Sequence, residues 1–202
     1  MKEMFLDSNA HIPIIPAAQK EYIRIQCLPA GHGHPSSPSV PGRAAAELME
    51  RSRATIATLL GADKPSQIIF TSSCTQACEF GMEMFLYGKI TGPVQEQISS
   101  IAVSALEHIA VKSAVRKVLD VYADEYIGGH TKTKIIEYSI PTDLSGTLNP
   151  TMPYDRGIAH LVHNETGVIQ DLSKFTTTPL FSDMCQAAGK IPVSLKHYPN
   201  VK

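Results

Sequence analysis

Short apolar runs alternate with helix-like segments along most of the chain, and this alternation constrains the fold most strongly. Apolar residues recur at helical spacing over 43–60, and Gly61 follows where a left-handed C-cap is expected. Further helices are predicted from the turn after Thr71 to near Gly88, and over 110–119. Because helices separate the strands, we expect a three-layer α/β/α fold with a mainly parallel, mixed sheet. The predicted strands are Gln67–Thr71, Ser100–Ser104, Ile135–Ile140, Ile158–Val162 and Leu180–Ser182.

Composition restricts the class of protein further. The chain has 202 residues, of which 43% are hydrophobic and 18% charged, so a single domain with a buried core is expected and general disorder is excluded. The formal net charge of −1 argues against a nucleic acid or a membrane surface as the main partner. No long apolar run and no secretory signal is recognisable, which predicts a cytoplasmic protein.

The cysteines and histidines do not form a recognisable metal-binding pattern. The four cysteines include no Cys-x-x-Cys pair, and Cys74 and Cys78 are spaced to share one helical face. We expect free thiols in a reducing compartment. His32 and His34 lie in the sequence GHGHPSSPSVPG, which is typical of a loop rather than of a metal site.

Polar residues follow the predicted strands, at the edge of a parallel sheet where ligands bind. Thr71–Gln76 forms a hydroxyl-rich strand-to-helix turn that suits a phosphate, although such residues also cap helices without any ligand. His108 follows the next strand, Asn164 lies in HNETG, and Asp183 ends the last apolar run, with Gln186 three residues later. A phosphorylated, protonated heterocycle would use all of these groups, and pyridoxal 5'-phosphate (PLP) is the obvious candidate.

Five stretches of the sequence resemble one enzyme family. They are FLDSNA, GHPSS, IIFTSSCTQA, LEHIAV together with HNETG, and FSDMCQAAGKIPV, and they run in the family's order from about Phe5 to Val193. The chain resembles the N-terminal part of a cysteine desulfurase, in the class V aminotransferase group of fold-type-I PLP enzymes. The resemblance implies the large PLP-binding domain of that fold.

The resemblance also implies individual roles. Thr75 looks like the hydroxyl that binds the cofactor phosphate, and His108 like the histidine that stacks on the ring and shuttles protons. Asn164 matches an asparagine near the ring hydroxyl and the substrate carboxylate. Asp183 matches the partner of the pyridine nitrogen, and Gln186 an amide at the ring hydroxyl.

The sequence departs from the family's pattern in two places. The phosphate turn of the family reads Ser-Gly-Gly-Thr-Glu, whereas this chain has side chains at Ser73 and Cys74, which puts phosphate affinity in doubt. The Schiff-base lysine of the family lies in a Ser-x-His-Lys motif beyond the Asp183 segment, and these 202 residues contain no such motif. We therefore expect an N-terminal segment and loop over 1–42 and a PLP-binding large domain over 43–202, truncated before that lysine and without the small C-terminal domain.

The implied activity is sulfur transfer from L-cysteine to an enzyme cysteine, with alanine as product. Without its lysine and its persulfide-forming cysteine the chain alone is expected to be inactive, so whether it is an enzyme stays open. One alternative is an inactive truncated relative that serves as a dimerisation or regulatory partner, or a gene remnant. A selenocysteine lyase and an unrelated phosphate-binding protein are further alternatives. The family implies a homodimer and a possible sulfur-acceptor protein.

Overall fold

The computed structural model describes residues 9–10, 12–87, 98–124, 135–175 and 178–202. The chain divides into two compact units, 1–69 and 70–202. The division expected from the sequence, at residues 42 and 43, stays a prediction. In the described ranges, no helix combines the length and the apolar character that a membrane span requires.

The first unit contains two α-helices, α1 (Pro16–Gln26) and α2 (Val40–Leu60). Ser39 caps the start of α2, because its hydroxyl accepts a hydrogen bond from the Gly42 N–H at 3.1 Å. Gly61 ends the helix with a φ of 72°, the left-handed conformation that glycine adopts without a steric penalty. The helix and the C-cap predicted from the sequence are therefore confirmed.

The second unit is built on a four-stranded sheet in which every strand pair is parallel. The strands are β1 (Ser100–Ser104), β2 (Ile136–Ile140), β3 (Arg156–Ile158) and β4 (Leu180–Phe181), in the order β2-β1-β3-β4. In the described part of this unit two α-helices accompany the sheet: α3 (Cys74–Met82), continued by a π-helical turn over Glu83–Tyr87, and α4 (Ile109–Asp124). The strands end together at one edge, called here the carboxyl edge.

The two faces of the sheet are packed differently. Ile101 and Val103 of β1 face α3 and α4, whereas Ala102 between them belongs to the opposite face, as the alternation of side chains along a strand requires. Loops and short 3₁₀ segments supply much of the second face, including Leu148, Leu172 and Phe175. The central strands β1 and β3 are thus buried on both faces, as expected for parallel strands, whereas β2 at the edge is largely exposed.

The α/β fold with a parallel sheet is confirmed, but two strand predictions are corrected. Gln67–Thr71 is wrong: Pro65–Gln67 forms a 3₁₀ turn, and Ile69 and Phe70 are 59% and 44% exposed in a segment that pairs with no described strand. The strand predicted at Ile158–Val162 lies earlier, at Arg156–Ile158. The next residues, 159–161, are buried but do not form a regular strand. The apolar pattern of a sequence cannot distinguish such a segment from a buried strand.

Candidate functional site

The turn before α3 is held by its own side chains. The Ser73 hydroxyl accepts a hydrogen bond from the Gln76 N–H at 3.2 Å, and so caps α3. The Gln76 side-chain oxygen in turn accepts hydrogen bonds from the N–H and the hydroxyl of Ser72. Thr75 is exposed in the first turn of the helix, and no other described residue hydrogen-bonds its hydroxyl. Thr75 is therefore available at a helix N-terminus, where partial positive charge favours anions.

The two side chains that replace the family's glycines in this turn cause no backbone strain. Ser73 has a φ of −161°, which is extended backbone open to any residue. No non-glycine residue in the described ranges has a positive φ. The concern that Ser73 and Cys74 would oppose the conformation of the turn is therefore not realised in its backbone.

His108 caps the helix that follows β1. Its Nδ1 accepts a hydrogen bond from the Ala110 N–H at 3.2 Å, and its carbonyl oxygen accepts the Val111 N–H at 3.0 Å. Because Nδ1 acts as an acceptor, the neutral ring carries its proton on Nε2. The residue is exposed, so its ring is fixed at the carboxyl edge and is accessible to a planar ligand.

A buried pair that includes the residue before this histidine was missed by the sequence reasoning. The Glu107 Oε1 lies 2.7 Å from both the backbone N–H and the Nδ1 of His160, and the two side chains are 0% and 4% exposed. The second carboxylate oxygen of Glu107 is buried with no hydrogen-bond partner among the described residues. The only sequence signal was a glutamate next to His108 and a histidine within an apolar run. The pair ties the end of β1 to the continuation of β3.

Asn164 lies in a turn that extends this polar network. The Nδ1 of His163 lies 2.9 Å from the Thr166 hydroxyl, and the Gly167 N–H donates to the His163 carbonyl at 3.0 Å. The rings of His163 and His160 are 5.2 Å apart between centroids. The HNETG turn is therefore anchored by packing of its first histidine against the buried pair.

Asp183 is half-buried just past the end of β4. Its Oδ1 accepts a hydrogen bond from the Cys185 N–H at 2.9 Å, and its carbonyl oxygen accepts the Leu161 N–H at 2.9 Å. The hydroxyl of the preceding residue, Ser182, is buried with no hydrogen-bond partner in the described part of the chain. Gln186 lies in the next turn, where its side-chain oxygen accepts a hydrogen bond from the Lys190 ammonium.

The structure brings the start of α3 to Asp183. One side-chain ligand atom from each of Cys74, Asp183 and Cys185 lies within 4.8 Å of the other two. Burial, followed by the neighbouring Cys74 and Asp183, raises the pKa of the Cys78 thiol to about 12. A helix N-terminus and a half-buried carboxylate therefore meet at one edge of the sheet.

Contacts between neighbouring segments connect the stretches of chain that carry the predicted residues. The Cys74–Asp183 cluster joins α3 to β4, the Asp183–Leu161 hydrogen bond joins β4 to the continuation of β3, and the Glu107–His160 pair joins that segment to β1. An anion site at α3, an accessible ring at His108 and a carboxylate form a donor set that fits a phosphorylated, protonated heterocycle. The buried oxygens without partners in Glu107 and Ser182 adjoin His108 and Asp183 in sequence.

Two open clefts of about 500 and 530 Å³ lie elsewhere on the second unit. The first is lined by residues of α4, β1 and β2, including Arg116 and Tyr138. The second is lined by residues such as Phe85, Arg156 and Phe181. Neither cleft is lined by Thr75, His108, Asn164, Asp183 or Gln186, so cleft size does not identify this site.

Several curated proteins are similar to nearly the whole chain. A cysteine desulfurase of Frankia sp. is 26% identical over 204 residues, which cover 96% of this chain and 46% of the Frankia protein. A cysteine desulfurase of Enterobacter agglomerans is 29% identical, with 97% of this chain and 47% of that protein covered. A selenocysteine lyase of Rattus norvegicus is 23% identical. The chain spans about half the length of the curated relatives it matches.

Solved structures show the same fold. A "NifS-like protein" superimposes with a TM-score of 0.71 at 24% identity, covering 94% of this chain and 51% of the other. The structure titled "SspA in complex with cysteine" gives a TM-score of 0.72 at 19% identity, covering 96% and 54%. The sequence profile of the family described as "Aminotransferase class-V" matches residues 4–199. With a match over nearly its full length, the chain belongs to the class-V aminotransferase family.

Proposed function

We propose that this chain binds PLP at the carboxyl edge, between the N-terminus of α3 and Asp183. The observation that carries the proposal is the contact of Cys74, at the start of α3, with the Asp183 segment. That contact puts an anion-binding helix end beside a carboxylate, which are the two fixed points that a phosphorylated pyridinium needs. Family membership supports the same cofactor.

Each predicted residue then has a role set by its position. The Thr75 hydroxyl and the N–H groups at the start of α3 bind the phosphate. The Asp183 carboxylate accepts a hydrogen bond from the ring nitrogen and keeps it protonated. His108, with Nδ1 occupied by the Ala110 N–H, stacks its ring on the cofactor and moves a proton at Nε2. Asn164 and Gln186 contact the ring hydroxyl.

The bound cofactor supplies an electron sink for bond cleavage in an amino acid. The chain's own residues orient the ring and control its protonation. Glu107 and His160 act indirectly, because their buried hydrogen bond fixes the segments that carry His108 and Leu161.

The activity proposed for the whole protein is desulfuration of L-cysteine. Similarity to cysteine desulfurases over more than nine-tenths of the chain supports this substrate class. In this proposal these 202 residues hold the cofactor, and they contain no Ser-x-His-Lys motif for a covalent lysine. We extend the proposal to a cytoplasmic homodimer that passes sulfur to an acceptor protein, as the family resemblance implies.

Ligand titrations monitored by thermal unfolding and by visible absorption test the cofactor site. PLP, and pyridoxine 5'-phosphate, which has no aldehyde to react with lysine, should both raise the melting temperature. Pyridoxal without phosphate is the matched control and should have a much smaller effect, because it cannot use the helix N-terminus. No thermal shift and no spectral change with PLP would exclude this function for the chain.

Borohydride reduction tests the expectation that the chain has no cofactor lysine. After reduction with PLP, peptide mass mapping should find no single lysine that is labelled stoichiometrically. A specifically labelled lysine would contradict our account of the covalent site. It would leave the phosphate and ring-nitrogen assignments to be decided by the titrations.

A further inference from the structure

Two cysteines that are far apart in sequence meet beside the proposed cofactor site. The Sγ atoms of Cys74 and Cys185, which are 111 residues apart, lie 2.6 Å from each other. Cys74 begins α3, and Cys185 follows Asp183 by two residues. Both residues are exposed and both are free thiols in this structure, so a small oxidant can reach them. The contact joins two segments that the sequence gives no reason to connect.

The distance between the sulfurs favours a covalent bond over a shared metal ion. Two thiolates on one tetrahedral zinc ion, with Zn–S bonds of ~2.3 Å, lie about 3.8 Å apart, well beyond the separation seen here. A disulfide brings the sulfurs to about 2.05 Å, so this pair needs only a small approach. Asp183 is the only other ligand in the described cluster, which leaves a metal one ligand short of the usual four.

We propose that Cys74 and Cys185 form a reversible disulfide that joins the start of α3 to the Asp183 segment. The oxidant is a low-molecular-weight disulfide such as oxidised glutathione. Each cysteine loses a proton, the pair together loses two electrons, and one S–S bond forms. The S–S bond of glutathione breaks and gives two glutathione thiols, so the exchange balances. Oxidation links Cys74, next to the phosphate-binding Thr75, to the segment of Asp183.

Cys78 provides an internal comparison for this selectivity. It lies one helical turn after Cys74 but is buried, at 4% exposed, so a small oxidant cannot reach its sulfur. Burial raises the pKa of both Cys78 and Cys185, so the selectivity comes from exposure and from the Cys74–Cys185 contact, and not from thiol acidity. Cys27 is exposed but belongs to the other unit. Oxidation should therefore link Cys74 to Cys185 and leave Cys27 and Cys78 outside the link.

The experiment equilibrates the full chain in glutathione buffers of increasing oxidation, quenches with an alkylating agent and measures intact mass and linked peptides. We expect one peptide link between Cys74 and Cys185, with no glutathione retained on either of them and a mass two hydrogen atoms below that of the same chain with both thiols free. Glutathione on Cys27 is the ordinary reaction of an exposed single thiol and is absent in C27S. C78S and C27S should form the same link. C74S and C185S should not, and each should instead hold glutathione on the remaining partner.

Thermal unfolding of the same samples adds a readout that does not depend on peptide mapping. A link across a loop of this length should raise the melting temperature of the wild-type chain by about 10 °C, with no change in C74S or C185S. Under reducing conditions both variants should have the same melting temperature as the reduced wild type, which would show that they fold. If a variant does not fold, mass mapping of the wild-type chain still decides the question.

Three outcomes of the thiol mapping would overturn the proposal. They are a link that involves Cys78 or Cys27, a link between two copies of the chain, and four alkylated thiols in buffers that oxidise ordinary exposed dithiols. Stoichiometric zinc that protects Cys74 and Cys185 from alkylation would also overturn it in favour of a metal site. None of these outcomes depends on whether PLP binds.

Discussion

Aspartates at the two ends of the sheet have different surroundings. Asp155 lies at the amino end, just before β3, and its Oδ2 accepts hydrogen bonds from the N–H and hydroxyl groups of Ser99 and Ser100, at 2.7–3.1 Å. Burial would raise the pKa of Asp155, but these hydrogen bonds outweigh it and hold the pKa below its usual value. Asp183 lies at the carboxyl end and faces two thiols and the start of α3.

The two carboxylates differ in where their neighbouring groups come from. At the amino end, the partners of the carboxylate are supplied by the adjacent strand, so the group holds β1 and β3 in register. At the carboxyl end, the strands diverge into loops and the groups around the carboxylate come from separate segments. A carboxylate there can take a ligand, and one at the amino end is already occupied.

The strongest test of this contrast is removal of Asp183. D183A should weaken PLP binding by about 100-fold or more, since the ring nitrogen loses a charged acceptor. Its free energy of unfolding should change by less than about 1 kcal/mol, as is usual for a partly exposed residue. Ligand titration and urea denaturation measure the two effects. Unchanged PLP affinity would remove the ring-nitrogen assignment.

Substitution of Glu107 tests whether a carboxylate at the carboxyl edge can have a structural role and no direct role in ligand binding. E107A should lower the free energy of unfolding by about 3–5 kcal/mol, because His160 loses its buried partner. E107Q, which keeps an oxygen acceptor, should cost clearly less. Urea denaturation at neutral pH measures both variants. Equal stability of E107A and wild type would show that the pair does not hold the two segments together.

Removal of Asp155 should have the opposite signature to D183A. D155A should lower the free energy of unfolding by about 2 kcal/mol, since hydrogen bonds to a charged acceptor are lost, and should leave PLP affinity unchanged.

The contribution of Asp155 to stability should also depend on pH. The pKa of Asp155 in the folded state lies below the unfolded value of about 3.9, so this stabilisation is present above that pH and is lost as the pH falls through the folded pKa. D155N should accordingly show a shallower loss of stability than wild type below about pH 4.

The smallest effects are expected at His108, where structure and function share one side chain. H108N keeps a capping acceptor but no ring, so it should retain stability and bind PLP about tenfold more weakly. H108F keeps a ring without the acceptor, and should lose about 1 kcal/mol of stability with a smaller effect on affinity. If both variants lose affinity equally, ring stacking is not the role of His108.

Much of the fold followed from local patterns. The helix over α2, its glycine C-cap, and the strands at β1 and β2 were predicted because periodicity and turn chemistry are local properties. The failure at Gln67–Thr71 has a local cause as well: the Gln67 side chain accepts the Lys64 N–H at 2.9 Å and favours a 3₁₀ turn. An apolar run by itself does not show whether a partner strand is present.

The candidate site was predicted only in part. The motif residues Thr75, His108, Asn164, Asp183 and Gln186 lie in segments that meet or adjoin at the carboxyl edge, but their roles stay predictions. The Glu107–His160 pair was not predicted, since its members are 53 residues apart and neither belongs to a ligand-binding pattern. The Cys74–Cys185 contact was missed for the same reason, because spacing along the chain gives no distance across the sheet.

The sequence by itself determined the alternation of strands and helices, the family, and the polar residues at the strand ends. These depend on residue type and order, which are present in the chain before it folds. Only the tertiary structure decided which polar groups meet: Asp155 with the serines of β1, Glu107 with His160, and Cys74 with Cys185. Such contacts depend on strand order and register, which arise from packing of the whole sheet.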